Sequence, residues 1–150
     1  MNDLLGIFQN RALLCAVTAW FVAQAIKIPT YWLVEKEWNW NRFWGSGGMP
    51  SSHTAFVVAL GIMVGALVGF DSVEFAMCVV FASVVMYDAT GVRRETGIQA
   101  QVINEILRQV FINGKPIAED DLKELVGHKP LEVLAGAILG LITAVVYILL

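Results

Sequence analysis

The stretch Ser46-Gly47-Gly48-Met49-Pro50-Ser51-Ser52-His53-Thr54 separates two strongly apolar runs of the chain. Gly47 and Gly48 allow a tight turn, and Ser51 or Ser52 can cap a helix that begins there. The first-turn N–H groups of such a helix attract anions, and His53 adds a proton that can be transferred. We therefore expect the function to be built on this stretch.

The composition around this stretch is that of a membrane protein. Of the 150 residues, 57% are hydrophobic and 15% are charged, and the mean hydropathy is +0.66. These values are too apolar for a soluble domain of this size, and we expect one membrane domain over residues 1–150. The net charge is -3 with both signs interspersed, which excludes a basic surface for nucleic acid. Cys15 and Cys78 lie in apolar runs without metal-ligand spacing, so we interpret both as packing residues.

Four apolar segments are candidates for membrane-spanning helices: residues 12–34, 53–70, 75–87 and 131–150. Between the third and fourth, apolar residues recur at helical spacing over 98–111 with polar residues opposite them, which predicts an amphipathic interfacial helix. The predicted fold is all-α, an integral membrane helical bundle of about four transmembrane helices plus that interfacial helix. Glycines four residues apart, at 61, 65 and 69 and at 136 and 140, favour close helix packing and a homodimer.

Four spans place the loop 35–52 and the region 88–130 on the same side of the membrane. The polar residues gathered there are Lys27, Arg42, Ser51, Ser52, His53, Asp88, Arg93, Arg94, His128 and Glu132. Eight lysines and arginines lie in the loops on this side, against Arg11 on the other. By the positive-inside rule, this multi-pass protein of the cell membrane has its site face in the cytoplasm.

Two histidines, several cations and a glycine-rich helix start describe a site for an anionic group that is transferred, and phosphate is the obvious candidate. Cations and main-chain N–H groups stabilise the charge of a transferring phosphoryl group. One histidine could attack phosphorus while the other protonates the departing oxygen. Glu132 follows His128 by four residues and could orient its ring. The chain has no HExxH, Asp-rich or clustered-Cys pattern, which favours a mechanism without metal or other cofactor.

Three strings make the sequence resemble the divergent branch of the type 2 phosphatidic acid phosphatases, relatives of acid phosphatases and vanadium haloperoxidases. They are Gly47-Gly48-Met49-Pro50-Ser51-Ser52-His53-Thr54-Ala55, Met86-Tyr87-Asp88-Ala89-Thr90-Gly91-Val92-Arg93-Arg94 and Gly127-His128-Lys129-Pro130-Leu131-Glu132-Val133-Leu134-Ala135-Gly136. The resemblance covers most of the chain. It implies a membrane lipid phosphatase that uses a histidine nucleophile.

The superfamily's Pro-Ser-Gly-His motif supplies phosphate-binding donors and a proton-donating histidine. By resemblance it matches Pro50, Ser51, Ser52 and His53, with Ser52 in place of glycine. The last motif, Ser-Arg followed by His and Asp, matches at His128, while Glu132 stands in place of Asp. Leu122 stands where that motif has arginine. The superfamily also has an earlier motif, a lysine followed after six residues by Arg-Pro. Here Lys27 is followed by Arg42 fifteen positions later, and the chain has no Arg-Pro.

The resemblance and the topology together assign the roles. His128 is the expected nucleophile, Glu132 orients it and His53 is the general acid. The expected phosphate-binding residues are Lys27, Arg42, Ser51, Ser52, Arg93 and Arg94. Asp88 is expected either to cap a helix or to pair with Arg93 or Arg94, supporting the groups that contact the phosphate. The expected substrate is a lipid phosphate or pyrophosphate, drawn from the surrounding membrane lipids.

Other interpretations stay open. The chain could be a non-catalytic binder of phospholipid or polyprenyl-phosphate headgroups that kept the phosphate site and lost turnover. Vanadate-dependent peroxidase chemistry is a second alternative. A CDP-alcohol phosphotransferase is a third, since residues 88–94 resemble its acidic motif, although the later paired aspartates are missing. Lys27 could also simply extend from a helix end to the lipid headgroups.

Overall fold

The computed structural model describes residues 6–38, 40–44, 47–110 and 129–150. Five α-helices account for most of this part of the chain, and it contains no β-strand. The all-α prediction is therefore confirmed. In chain order the helices are α1 (Arg11–Glu35), α2 (Ser52–Val68), α3 (Val73–Thr90), α4 (Val92–Val110) and α5 (Pro130–Leu149), with 3-10 turns at Gly6–Gln9 and Trp40–Phe43.

Short polar side chains fix where the first three helices begin. The side chain of Asn10 accepts a hydrogen bond from Leu13 N, and Ser72 Oγ accepts one from Phe75 N. Ser51 does the same for α2. These contacts satisfy N–H groups that a helix start leaves without a partner, which matters most where no water reaches them.

Within the described ranges, three helical stretches are long and apolar enough to cross a membrane: Arg11–Leu33, Val73–Ile106 and Pro130–Leu149. The second of these joins α3 to most of α4. The fourth apolar helix, α2, has 17 residues, which at 1.5 Å per residue is about 26 Å, slightly less than the hydrocarbon thickness. The expected bundle of apolar membrane helices is present, with α2 as its shortest member.

Helix α2 lies at the centre of the bundle and packs against α1, α3 and α5. Its neighbours α1 and α3 run antiparallel to it. For α3 this follows because Gly61 faces Cys78 while Gly65 faces Phe75. Helix α5 runs parallel to α2, because Gly136 faces Ser51 and Gly140 faces Ala55. The C-terminal ends of α1 and α3 and the N-termini of α2 and α5 consequently lie together, as the loop-parity prediction requires.

Small residues make this packing close. A Cβ atom added at Gly140 would lie 2.6 Å from the carbonyl oxygen of Ala55, and one at Gly136 would collide with the carbonyl oxygen of Ser51. The core around them is built largely from alanines, with Cys15 and Met63. The predicted role of these two glycines in close packing is confirmed, and both are used within one chain. The homodimer stays a prediction. Gly136 and Gly140 of α5 no longer argue for it, because both face α2 of the same chain.

Helix α4 follows α3 after Gly91 and carries the predicted amphipathic pattern. Among the described helices it packs only against α3. Its exposed apolar residues include Ile98, Val102 and Ile106, which share one face at helical spacing. This arrangement suits a helix in the membrane interface. The last position of the predicted amphipathic stretch, 111, lies outside the described residues.

Aromatic residues mark the loop before α2. The Phe43 ring meets Phe21 of α1 edge-to-face at 5.5 Å, which holds the 3-10 turn against α1. Trp38, Trp40 and Trp44 are exposed. Exposed tryptophans beside an apolar bundle are typical of the membrane–water interface.

Candidate functional site

The polar stretch before α2 forms a glycine turn that enters the helix at Ser51. Gly47 and Gly48 have φ values of 86° and 82°, a left-handed conformation that favours glycine. Thr30 Oγ1 of α1 donates a hydrogen bond to the carbonyl oxygen of Met49 at 2.7 Å. The turn is therefore tied to α1 immediately before α2 begins.

Ser51 connects α2 to α5. Its side chain is completely buried, and its Oγ accepts hydrogen bonds from Thr54 N at 3.4 Å and Thr54 Oγ1 at 3.0 Å. Its backbone N–H donates to the carbonyl oxygen of Glu132 in the first turn of α5, at 2.9 Å. Ser51 thus caps α2 and fixes the start of α5 beside it.

Ser52 lies in the first turn of α2 and contacts a buried lysine. Lys27 Nζ donates a hydrogen bond to Ser52 Oγ at 3.3 Å. The two residues are 3% and 1% exposed. The first turn of α2 contains no acidic residue, so the helix dipole and the ammonium group of Lys27 both favour a negatively charged group at this place.

Helix α5 adds a second N-terminus at the same level. Lys129 is its N-cap residue, and Glu132 Oε2 accepts a hydrogen bond from the Lys129 backbone N–H at 3.2 Å. The N-termini of α2 and α5 face the same way because the two helices are parallel. We call this end of the bundle, defined by Lys27, Ser52 and Glu132, the site end.

Asp88 is half-buried in the last turn of α3. Gly61 of α2 faces Cys78 of the antiparallel helix α3. About two and a half turns from that contact lead back to Ser52 on α2 and forward to Asp88 on α3, so Asp88 lies level with Ser52. The predicted neighbour of the site is therefore at the site end. His53 is exposed beside Ser52.

The remaining predicted residues are only partly described. Arg42 lies on the 3-10 turn Trp40–Phe43, and Arg93 and Arg94 lie in the first turn of α4, but the side chains of all three are outside the described part of the structure. His128 lies outside the described residues and directly precedes Lys129 in sequence. The structure therefore brings together Lys27, Ser51, Ser52 and Glu132, and places Asp88 at their level. The expected contact between His128 and Glu132 stays a prediction.

One polar residue near the site end was not predicted from the sequence. Gln24 lies one turn before Lys27 on α1 and is 5% exposed, and its Oε1 has no hydrogen-bond partner among the described residues. The signal was an amide in the middle of an apolar run, a position where polar residues tend to be functional. In the described ranges, no group of three His, Cys, Asp or Glu residues is arranged to hold a metal ion.

The comparison with known families agrees with the apolar helical bundle. The model of the Divergent PAP2 family matches residues 8–143. The chain belongs to the Divergent PAP2 family. It is 39% identical to "Uncharacterized membrane protein YuiD" of Bacillus subtilis (strain 168), over 93% of this chain and 95% of that protein. No solved structure matches the chain.

Membership of the Divergent PAP2 family confirms the predicted resemblance and, with the apolar helices, identifies a membrane protein. The matched region runs from before α1 to within α5 and so includes Lys27, Ser52 and Glu132. Every described part of the site end thus lies in the portion of the chain that defines the family.

Proposed function

We propose that this protein is a membrane phosphohydrolase that removes phosphate from a lipid phosphate or pyrophosphate. The observation that carries the proposal is the contact of Lys27 with Ser52 in the first turn of α2. A lysine that is 3% exposed has lost most of its hydration, which is costly. A bound phosphate would place negative charge beside the ammonium group, a favourable pairing where little water competes for it.

The two parallel helix starts support the same ligand. First-turn N–H groups and the positive end of the dipole favour phosphate at a helix N-terminus. The hydrogen bond from Ser51 N to Glu132 O holds the starts of α2 and α5 side by side. A phosphate at the site end would therefore meet one buried cation and the N-terminus of α2, which has no acidic residue in its first turn, beside the start of α5, where Glu132 occupies the first turn.

The proposed reaction has two steps. A ring nitrogen of His128 attacks phosphorus, the bond from phosphorus to the lipid oxygen breaks, and His53 gives its proton to that oxygen. Water then attacks the phosphohistidine, His53 takes a proton from the water, and inorganic phosphate leaves. His53 is exposed beside Ser52, which suits a group that exchanges protons with water. Glu132 orients His128 in this scheme.

Arg42, Arg93, Arg94 and Ser51 complete the proposed phosphate site, with Asp88 pairing to an arginine behind it. The proposed location is the cell membrane with the site end facing the cytoplasm. The lipid substrate then enters from the inner leaflet. The positive-inside distribution of lysine and arginine supports this orientation.

A non-catalytic binder of lipid phosphates is the second candidate. The hydrogen bonds of Ser51 and Glu132 favour it. Ser51 Oγ accepts two hydrogen bonds from Thr54, and Glu132 Oε2 accepts one from Lys129 N. Both side chains are therefore used in holding helix starts, a role that a binder needs as much as an enzyme does.

Phosphate release by the purified protein distinguishes the two candidates. Wild type and His128→Ala are incubated with phosphatidate, lysophosphatidate, polyprenyl phosphate and polyprenyl pyrophosphate in detergent micelles, and inorganic phosphate is measured. The hydrolase proposal expects release by wild type at least a hundredfold faster than by the variant, since a lost nucleophile removes the covalent route. Equal rates for the two proteins on every lipid would reject the hydrolase and leave the binder.

A further inference from the structure

Gln24 is a buried amide that the proposed mechanism does not use. It lies near the middle of the apolar stretch Arg11–Leu33. The residue is 5% exposed, and its Oε1 is shielded from solvent without a hydrogen-bond partner in the part of the chain that the structure describes. An unsatisfied acceptor in the apolar interior is costly.

Three donor groups at the site end make hydrogen bonds to other acceptors. Lys27 Nζ donates to Ser52 Oγ, and Thr54 Oγ1 donates to Ser51 Oγ. Thr30 Oγ1 donates to the carbonyl oxygen of Met49. No donor in the described part of the chain meets Gln24 Oε1, and a ligand that enters the bundle at the site end can supply one.

The position of Gln24 defines where the donor on that molecule lies. Gln24 is three residues before Lys27, which is about 4.5 Å along the helix axis, and it is on the side nearer the middle of the span. A lipid whose phosphate lies at Lys27 and Ser52 directs its next carbons towards the hydrocarbon. Those carbons pass the level of Gln24.

We propose that Gln24 is a specificity residue that accepts a hydrogen bond from a hydroxyl group next to the phosphate ester of the lipid. This inference rests on the proposed function and names its substrate class. The preferred lipids are phosphomonoesters with a free hydroxyl on the carbon beside the ester carbon, as in a monoacyl glycerol phosphate. A polyprenyl phosphate has no such donor and leaves Oε1 unsatisfied.

The side chain of Gln24 can reach such a ligand without movement of the helix. Glutamine has three rotatable bonds, and rotation about them carries the amide towards Lys27 while the Cα atom stays in place. The amide then offers its oxygen to the hydroxyl group and its NH2 to an ester oxygen. A site that hydrogen-bonds a substrate hydroxyl discriminates strongly against the analogue without it.

The experiment compares 1-oleoyl lysophosphatidate with its 2-deoxy analogue. Phosphate release is measured with wild type, Gln24→Leu and the control Thr18→Val, which removes a hydroxyl paired with Tyr147 at the other end of the bundle. For wild type and the control we expect kcat/KM to favour the hydroxyl substrate at least about tenfold, the effect of one buried hydrogen bond. In Gln24→Leu the ratio falls to about one, with the rate on the deoxy substrate retained.

The outcomes separate this inference from the proposed function. Phosphate release with no hydroxyl preference in wild type, or equal losses on both substrates in Gln24→Leu, overturns the inference and leaves the hydrolase. If no phosphate is released, the dissociation constants of the same two lipids are measured, and their ratio replaces the ratio of kcat/KM values. A binding preference that Gln24→Leu abolishes then supports the inference while the hydrolase fails, and its absence overturns the inference. Glycerol 3-phosphate handled as well as the lipid would overturn the lipid assignment.

Discussion

Lys27 Nζ lies 3.3 Å from Ser52 Oγ, although the two residues are 25 positions apart and both are buried. The contact joins the C-terminal part of α1 to the first turn of α2. A charged group hydrogen-bonded at a helix start fixes the two helices, and in the proposed function it also attracts the phosphate. Its removal should therefore affect ligand binding more than that of other lysines.

Replacement of Lys27 by methionine tests this contact. Lys27→Met keeps most of the side-chain volume and removes the charge. We expect lipid-phosphate binding to weaken about tenfold to a hundredfold, the equivalent of one hydrogen bond to a charged group. Dissociation constants measured with lysophosphatidate in nanodiscs provide the test.

Lys36→Met is the matched control for that prediction. Lys36 lies at the C-terminal end of the same helix but is exposed, with its Nζ 5.8 Å from the centre of the Trp32 ring. We expect its replacement to change binding less than about threefold, as an exposed charge contributes little. Equal losses in the two variants would show that overall charge, and not the site end, attracts the ligand.

Ser51 and Ser52 are adjacent in sequence but should behave differently when each is changed to alanine. Ser51→Ala removes the cap of α2 and should lower the free energy of unfolding by about 1 kcal/mol. Ser72→Ala, which removes the cap of α3, should cost a similar amount without affecting binding. We expect Ser52→Ala to weaken lipid-phosphate binding more than Ser51→Ala does. Stronger loss of binding in Ser51→Ala would mean that Ser51, and not Ser52, is the main phosphate-binding hydroxyl.

The close approach of α5 to α2 gives a prediction for stability. The added Cβ of Gly140→Ala would lie 2.6 Å from the carbonyl oxygen of Ala55, and the two backbones must separate to admit it. We expect a loss of about 1–3 kcal/mol in the free energy of unfolding, the usual cost of overpacking. Unfolding is followed by circular dichroism during titration with a denaturing detergent.

Gly61→Ala is the control for this substitution. Its added Cβ would meet Cys78 Cβ at 3.6 Å, an ordinary contact. We expect no loss, and a gain of up to about 1 kcal/mol from the higher helix propensity of alanine. If Gly61→Ala destabilised the protein as much as Gly140→Ala, helix packing at Ala55 would not be the cause.

Much of the architecture could be predicted from the sequence because it depends on local patterns. Long apolar runs define the helices, and loop parity alone places the start of α2 and the start of α5 at the same end. The spacing of Gly136 and Gly140 indicated close packing. The partner helix and the register could not be predicted, since they depend on how α2 and α5 interlock.

The site was less predictable. Sequence alone could not separate Ser51 from Ser52, because either serine can cap a helix, and only the packing against Thr54 and Lys27 assigns the two hydroxyl groups. Gln24 was not predicted as a site residue, because no sequence motif includes an amide one turn before Lys27. Its significance depends on burial and on an acceptor without a donor, which are properties of the packed bundle.

The side of the membrane to which the site end faces can be tested with single cysteines. Lys36 follows α1 at the site end, while Asp71 lies exposed in the turn between α2 and α3 at the opposite end. In a background with Cys15→Ala and Cys78→Ala, we introduce Lys36→Cys or Asp71→Cys and label intact cells with a membrane-impermeant maleimide. The excess of lysine and arginine at the site end predicts that Asp71→Cys is labelled at once and Lys36→Cys only after permeabilisation. The reverse pattern would place the site end outside, where the substrate would come from the outer leaflet. Labelling of both variants in intact cells would show dual orientation and remove the charge argument.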